Sequence, residues 1–338
     1  MKNGFIKAAA ASPELRVADV KFNTDKSIEC IKKAAENGAK LIVLPELGLT
    51  AYTCGDLFLQ SSLTGLAEEE LIRLAEETAE LDILSVVGLP ISKNGKLYNC
   101  AAFVKDGEVL GFVPKSNIPN YSEFYEMRHF NVAGANTEVM FGGRLVPMGA
   151  KMIFSAENME GFAVSAEICE DLWTAAPPSC EHTKNGAVII VNQSASDEVI
   201  GKSDWRRKMI EVHSSKAACA YIYADAGEGE STTDMTFSGN NLIFELGTKL
   251  AEAPLFSEGI IYADIDTEKI LQERRRVSSF RNGEDSGYKH IYFKTAVEET
   301  RLDRSFERQP FVPSDAAKLT ERCEEIFAIQ YHGLKKRL

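Results

Sequence analysis

The chain has 338 residues, with 50 acidic against 38 basic side chains and a formal net charge of −12 at pH 7. At roughly 150 residues per domain this length predicts two average domains or one large α/β unit with extensions, and 44% hydrophobic content supplies a sizeable core. The acidic balance disfavours nucleic-acid and membrane partners, and neither a membrane-length apolar run nor a secretory signal after the initial MKNGFIKAAAASPELRVADV is expected.

Strands are predicted at Phe5–Ala10, Leu41–Leu44, Ile83–Gly88, Asn99–Val104, Val109–Val113, Phe162–Ile168, Ala187–Val191, Ala220–Ala224, Leu242–Phe244 and Ile260–Ile265, where short β-branched runs recur. Helices are predicted over 24–38, 64–80, 202–218 and 314–338. In the first, Ile28, Ile31, Ala34 and Ala35 fall on one face and Asn37-Gly38 is a stop signal. Asn94-Gly95 and Asp106-Gly107 lie between strands and predict tight hairpins. Strand–helix–strand followed by a meander and further α/β units predicts an α/β protein with two stacked sheets sandwiched by helices. Near Asp266 the composition turns polar, through Arg274-Arg275-Arg276 to Gln309-Pro310-Phe311-Val312-Pro313. A final helix follows, with Ser314 as its expected cap and Leu319, Cys323, Ile326, Phe327 and Gln330 on one face.

Seven cysteines are an odd number, widely spaced and without a CxxC pair, which fits a reducing cytoplasm better than a disulfide framework. The five histidines form no HxxxH pair, so no metal site is predicted. Two loops imitate phosphate-binding motifs. Ser196–Ser203 nearly matches GxxxxGK[ST] but starts with serine and carries two carboxylates. Gly227-Glu228-Gly229-Glu230-Ser231-Thr232 lacks the third glycine of a dinucleotide loop and reads as an acidic loop.

Three strand ends carry chemistry. Leu41–Leu44 runs through Pro45 into Glu46, a carboxylate that partial desolvation could turn into a general base. Val109–Val113 runs through Pro114 into Lys115, a cation suited to a developing oxyanion. Phe162–Ile168 delivers Cys169 at the strand-to-loop transition, where its sulfur can be exposed and the next N–H can face a substrate oxygen. The neighbouring carboxylates disfavour a thiolate, so a nearby lysine would be needed. Each residue taken alone also fits a plain role: a solvated carboxylate, a surface lysine, a core thiol. Together they supply what cysteine-based amide hydrolysis requires.

At these residues the sequence resembles the nitrilase (carbon–nitrogen hydrolase) superfamily, and more narrowly the glutaminase domains of glutamine-dependent NAD⁺ synthetases. The resemblance is carried by Pro45–Phe58, Pro114–Arg128, Ile168–Trp173 and Asn192–Ser196, and runs from Phe5 to Pro313. It implies a four-layer α-β-β-α sandwich over 1–266, with 267–338 as a C-terminal extension and linker helix towards a synthetase domain. It also implies Glu46 as general base, Lys115 as oxyanion lysine, Cys169 as nucleophile and Glu126 as the second glutamate holding the lysine. By the same resemblance Tyr121, Ser196 and Lys202 match positions contacting glutamine, Phe124 and Tyr52 are expected to wall the pocket, and the Glu170 N–H is expected to face the oxyanion. Lys202 departs from the family's arginine, keeping the charge but not the bidentate fork.

The resemblance further implies L-glutamine as substrate, no metal or organic cofactor for its hydrolysis, and ATP with Mg²⁺ in the synthetase domain. It implies a cytoplasmic homo-oligomer as well. No SGGxDS-type ATP loop occurs, Glu284-Asp285-Ser286-Gly287 being only similar letters, so the chain is expected to be the glutaminase portion of a longer enzyme. A free-standing amidase for another small amide or carbamoyl compound, and a non-catalytic regulatory domain, are the rival readings.

Overall fold

The computed structural model describes every residue except 133, 284–286, 307 and 309–314, and the backbone alone of 316. In chain order the first half contains β1 (Phe5–Ser12), α1 (Val20–Glu36), β2 (Leu41–Val43), α2 (Ser61–Glu77), β3 (Leu84–Lys93), β4 (Lys96–Lys105), β5 (Glu108–Pro114), β6 (Thr137–Phe141), β7 (Arg144–Met148), β8 (Met152–Ala156) and β9 (Ala163–Ile168). The second half contains α3 (Ser179–Lys184), β10 (Ile189–Ser194), α4 (Lys202–Lys216), β11 (Ala220–Asp225), β12 (Leu242–Glu245), β13 (Thr248–Glu252), β14 (Gly259–Asp266), α5 (Thr267–Arg276), β15 (Lys289–Phe293) and α6 (Ala316–Lys335).

The strands form two mixed sheets, one in the order β14-β1-β2-β3-β4-β5-β7-β6, the other β13-β12-β11-β10-β9-β8-β15. Three apolar layers hold the expected four-layer sandwich together. One joins α1 and α2 to the first sheet through residues such as Ile31, Leu71, Leu74, Val87 and Phe112. The second lies between the sheets, where Leu41, Val43, Phe103, Phe154, Val164 and Val191 meet, with Phe103 stacked on Phe154 at 3.7 Å. The third packs α4 on the second sheet through Ile210, Tyr221 and Phe244. Because both faces of the central strands are covered, they read as continuous apolar runs rather than alternating ones.

Local signals set the connections. Asp19 caps α1 by accepting the Phe22 N–H at 3.3 Å, and Gly38, at φ +77°, ends it. Both predicted hairpins form, with Asn94/Gly95 at φ +51°/+74° and Asp106/Gly107 at +51°/+79°, the mirror-image turn geometry that matches strand twist. Since β3–β4 and β4–β5 are both antiparallel, β5 runs parallel to β3 and to β2. In the second sheet β9, β10 and β11 are mutually parallel.

The ten predicted strands are present, but β6, β7, β8, β13 and β15 and the helices α3 and α5 were not anticipated. Several are short, half-exposed edge elements such as β6 and β13, whose apolar alternation is weak. The polar shift near Asp266 does not end the compact unit, which runs Met1–Arg301. The basic run there is partly structural: Arg274 donates to the Ala218 and Ala187 carbonyls at 2.9 and 2.7 Å, and β15 pairs with β8. Leu302–Leu338 forms a second unit containing α6. Its cap is Asp315, which accepts the Ala317 N–H at 2.9 Å, whereas Ser314 and Gln309–Pro313 lie outside the described residues. Among the described residues no helix is long and apolar enough to cross a membrane.

Candidate active site

The carboxyl ends of parallel strands are where α/β folds assemble sites, and β2, β5, β9 and β10 end together here. β2 leads through Leu44 and Pro45 to Glu46, whose side chain is buried. The turn needs room: a Cβ on Gly88 of β3 would lie 2.4 Å from the Pro45 carbonyl oxygen and 2.5 Å from the Leu47 nitrogen. Gln193 of β10 crosses the sheet interface to donate to the Leu44 and Val86 carbonyls at 2.7 and 3.1 Å, fixing the two sheets in register at this end. β5 ends at Pro114, and the Lys115 N–H donates to the Asn99 carbonyl at 2.8 Å. β9 ends at Ile168, and Cys169 adopts φ +43°, a left-handed conformation that turns it sharply out of the strand. Asp171 accepts the Ile168 N–H at 2.9 Å and the Asn117 N–H at 2.8 Å, so one carboxylate ties the Cys169 loop to the Lys115 loop.

Lys115 is 0% exposed and donates to Glu46 Oε1 at 2.7 Å and Glu126 Oε1 at 2.6 Å. Asn99 donates to Glu46 Oε1 at 2.6 Å and the Ala195 N–H to Oε2 at 2.9 Å, while the Tyr52 hydroxyl donates to Glu126 Oε1 at 2.8 Å. Burial would lower the Lys115 pKa, but Glu126 and Glu46 overcome it and hold the ammonium charged. Burial pushes the Glu126 carboxyl up to about 7, with Lys115 drawing it down and Glu46 driving it further up. Among the described residues Glu126 Oε2 is buried without a hydrogen-bond partner, in keeping with that penalty.

Cys169 is buried, and its backbone N–H donates to Asn192 Oδ1 at 3.0 Å. Burial and then the Glu46 carboxylate raise its thiol well above the ordinary value, against the opposing pull of Lys115 and Ser194. Burial therefore favours the neutral thiol, and Lys115, itself paired with two carboxylates, only partly opposes it. An arrangement of this kind delivers a nucleophile only if a base removes the proton as attack proceeds.

Of the remaining predicted residues, Tyr121, Glu170, Phe124 and Lys202 are linked by direct contacts. The Tyr121 hydroxyl donates to both Glu170 oxygens at 2.9 and 3.1 Å, and its ring meets Phe124 edge-on at 5.9 Å. Lys202 pairs with Asp197 and lies over the rings of Trp173 and Phe124 at 5.5 and 5.8 Å. Ser196 is buried, with its N–H donating to Asp225 Oδ1 at 3.0 Å. The carboxylates of the failed phosphate loop are thus committed internally, Asp197 to Lys202 and Glu198 to Arg206 and the Ser203 N–H.

Sequence reasoning did not single out Asn99, Asn192, Asp171 or Asp197. Asn99 and Asn192 are buried within strands β4 and β10, where a polar side chain is costly unless it has partners; that was the available signal. A cavity of about 290 Å³ opens beside Tyr52, Thr53, Glu126, His129 and Met235. A larger one of about 600 Å³, near Trp173, Cys180, Trp205 and His213, includes none of the predicted site residues, so size does not mark the chemistry. Among the described residues no group of three or more His, Cys, Asp or Glu side chains could hold a metal ion.

Comparison with known proteins identifies the family and the fold. Residues 7–275 match the Carbon-nitrogen hydrolase family. The chain is 36% identical to the glutamine-dependent NAD(+) synthetase of Mycobacterium tuberculosis across 100% of its own length and 51% of the relative's. A glutamine-dependent NAD(+) synthetase structure from Cytophaga hutchinsonii superposes with a TM-score of 0.70 at 28% identity, over 78% of this chain and 43% of that one. A Nesterenkonia amidase of the nitrilase superfamily shares the fold with a TM-score of 0.62 at 19% identity, over 81% of this chain and 95% of the amidase. The chain spans about half the length of the curated relatives it matches.

Proposed function

Since this chain belongs to the carbon–nitrogen hydrolase family, we propose that it hydrolyses the side-chain amide of L-glutamine, and that the ammonia serves to amidate deamido-NAD⁺ to NAD⁺ in an ATP- and Mg²⁺-dependent synthetase domain. The observation carrying this reading is the buried Lys115 ammonium held between Glu46 and Glu126 beside the Cys169 thiol. Residues 302–338, the second unit, rather than all of 267–338, are on this reading the linker leading to that domain.

Glu46 takes the thiol proton as Cys169 Sγ bonds to the amide carbon. Lys115 and the backbone N–H of Glu170 stabilise the oxyanion. When the tetrahedral intermediate collapses, the C–N bond breaks and Glu46 returns the proton to the departing nitrogen, releasing ammonia and leaving a thioester. Water then attacks the thioester carbon and gives a proton to Glu46, which passes it to the leaving sulfur as glutamate departs. Glu126 keeps Lys115 charged and in place. Tyr121, Ser196 and Lys202 contact the glutamine on this reading, and Phe124 and Tyr52 wall the pocket.

The test compares glutamine with a panel of small amides and carbamoyl compounds. Glutamine is expected to be turned over best, and Cys169→Ala is expected to lower the rate by several orders of magnitude while circular dichroism stays unchanged. A folded Cys169→Ala protein that still hydrolyses glutamine at the wild-type rate sinks the reading, and faster turnover of another small amide redirects it to that substrate.

A further inference from the structure

The acidic loop that fails as a dinucleotide motif is built into the wall of the site. Glu230, 7% exposed, accepts the Tyr52 N–H at 2.7 Å on one oxygen. Its other oxygen accepts the Thr53 N–H at 3.0 Å and the Thr53 hydroxyl at 2.5 Å. That hydroxyl in turn accepts the Ser231 N–H at 2.8 Å, and Phe237 meets the Tyr52 ring edge-on at 6.1 Å. Gly229 makes the approach possible: at φ +105°, a Cβ there would lie 2.1 Å from the Leu15 carbonyl oxygen.

Glu230 grips the chain immediately after Ala51, which sits at φ +74°, ψ 154°. That region is essentially reserved for glycine and persists for other residues only where the surroundings over-determine it. A carboxylate accepting three donors from two successive residues is such a surrounding. From Tyr52 the contact chain continues outward, because its hydroxyl donates to the same Glu126 oxygen that holds Lys115.

We propose that Glu230 is a positioning residue: it locks the 51–53 turn so that Tyr52 keeps its hydroxyl on Glu126 and thereby holds Lys115 where the oxyanion forms. The proposal rests on the assignment of Glu46, Lys115 and Cys169 as the reacting groups. Glu230→Gln keeps the size of the side chain but replaces one acceptor with an NH₂ that faces backbone donors.

The experiment is a double-mutant cycle with Tyr52→Phe, read by kcat and KM for glutamine and by the rate of Cys169 alkylation with iodoacetamide. If Glu230 acts through Tyr52, each single variant lowers kcat by roughly 10–100-fold with KM within about twofold, and the double variant is no slower than the slower single. An unchanged kcat in folded Glu230→Gln, or losses that simply multiply, overturns the proposal. Should Glu230→Gln fail to fold, Thr53→Val removes one donor to Glu230, together with the acceptor of the Ser231 N–H, and leaves the Glu230 side chain itself in place; a kcat drop of about threefold or more at constant KM supports the clamp, and no drop overturns it. A wild-type protein inert towards glutamine defeats the functional reading instead. The alkylation rates then decide the clamp alone: a shared, non-multiplying slowing supports it and equal rates overturn it.

Discussion

Lys115 carries its charge where water cannot reach it, and Glu46 and Glu126 together make that arrangement stable, but only one of the two has to remain ionised. Burial raises Glu126 to about 7, so it takes up a proton near neutrality. We expect kcat for glutamine to fall as the pH drops through about 7, because Lys115 is then held by Glu46 alone. Glu126→Gln is expected to be roughly 10–100-fold slower and to lose that limb of the pH profile; an identical limb in the variant would assign it to another group. The stability consequence has the opposite sign from a salt-bridged surface carboxylate. The folded pKa lies above the ordinary 4.5, so the contribution is fully present below about 4.5 and is lost as pH rises through about 7. Denaturation at several pH values should show the wild type gaining on Glu126→Gln as the solution is acidified across that window. Lysine, glutamate and cysteine at strand ends could be picked out by residue type and position. The raised pKa of the Cys169 thiol could not, since it depends first on burial and then on the nearby Glu46 carboxylate, against the pull of Lys115.

Strand ends and turns do the positioning, and their tolerances are small. Gly88 lies in the middle of β3, where glycine is ordinarily unfavourable, yet any side chain would strike the backbone that carries Glu46. Gly88→Ala is expected to destabilise the protein by more than about 2 kcal/mol in chemical denaturation, and to lower kcat in whatever fraction remains folded. A neutral Gly88→Ala would show that the Glu46 turn relaxes freely. Elements buried on both faces, such as Leu41–Val43 and Ala187–Val191, were legible because their apolar runs are uninterrupted. The hairpins were legible because Asn-Gly and Asp-Gly suit φ > 0 at both positions. Edge strands such as β13 and β15 were not, because much of their side-chain surface faces solvent, and β15 in addition pairs with the distant β8. The Gly227–Thr232 loop was legible as acidic and non-phosphate-binding, but its partner, the turn at 51–53, is 178 residues away in sequence.

At the scale of the whole chain, Met1–Arg301 contains both sheets, the inter-sheet core and every candidate site residue, whereas the described side chains of α6 are exposed. A protein ending at Arg301 is therefore expected to unfold cooperatively with a Tm within a few degrees of the full chain, while one ending at Asp266 loses α5, β15 and the Arg274 contacts and should melt lower by about 5 °C or more. Equal melting of the two would place the unit's end at the composition break. By itself the sequence determined the layered α/β class, the apolar central strands, the tight turns and the residue types able to perform amide hydrolysis, because each follows from local propensity or from a short run of neighbours. Tertiary structure decided which polar groups share one buried space. Desolvation, the division of one ammonium between two carboxylates and the grip of Glu230 on Tyr52 arise only when strands far apart in the chain end at the same place.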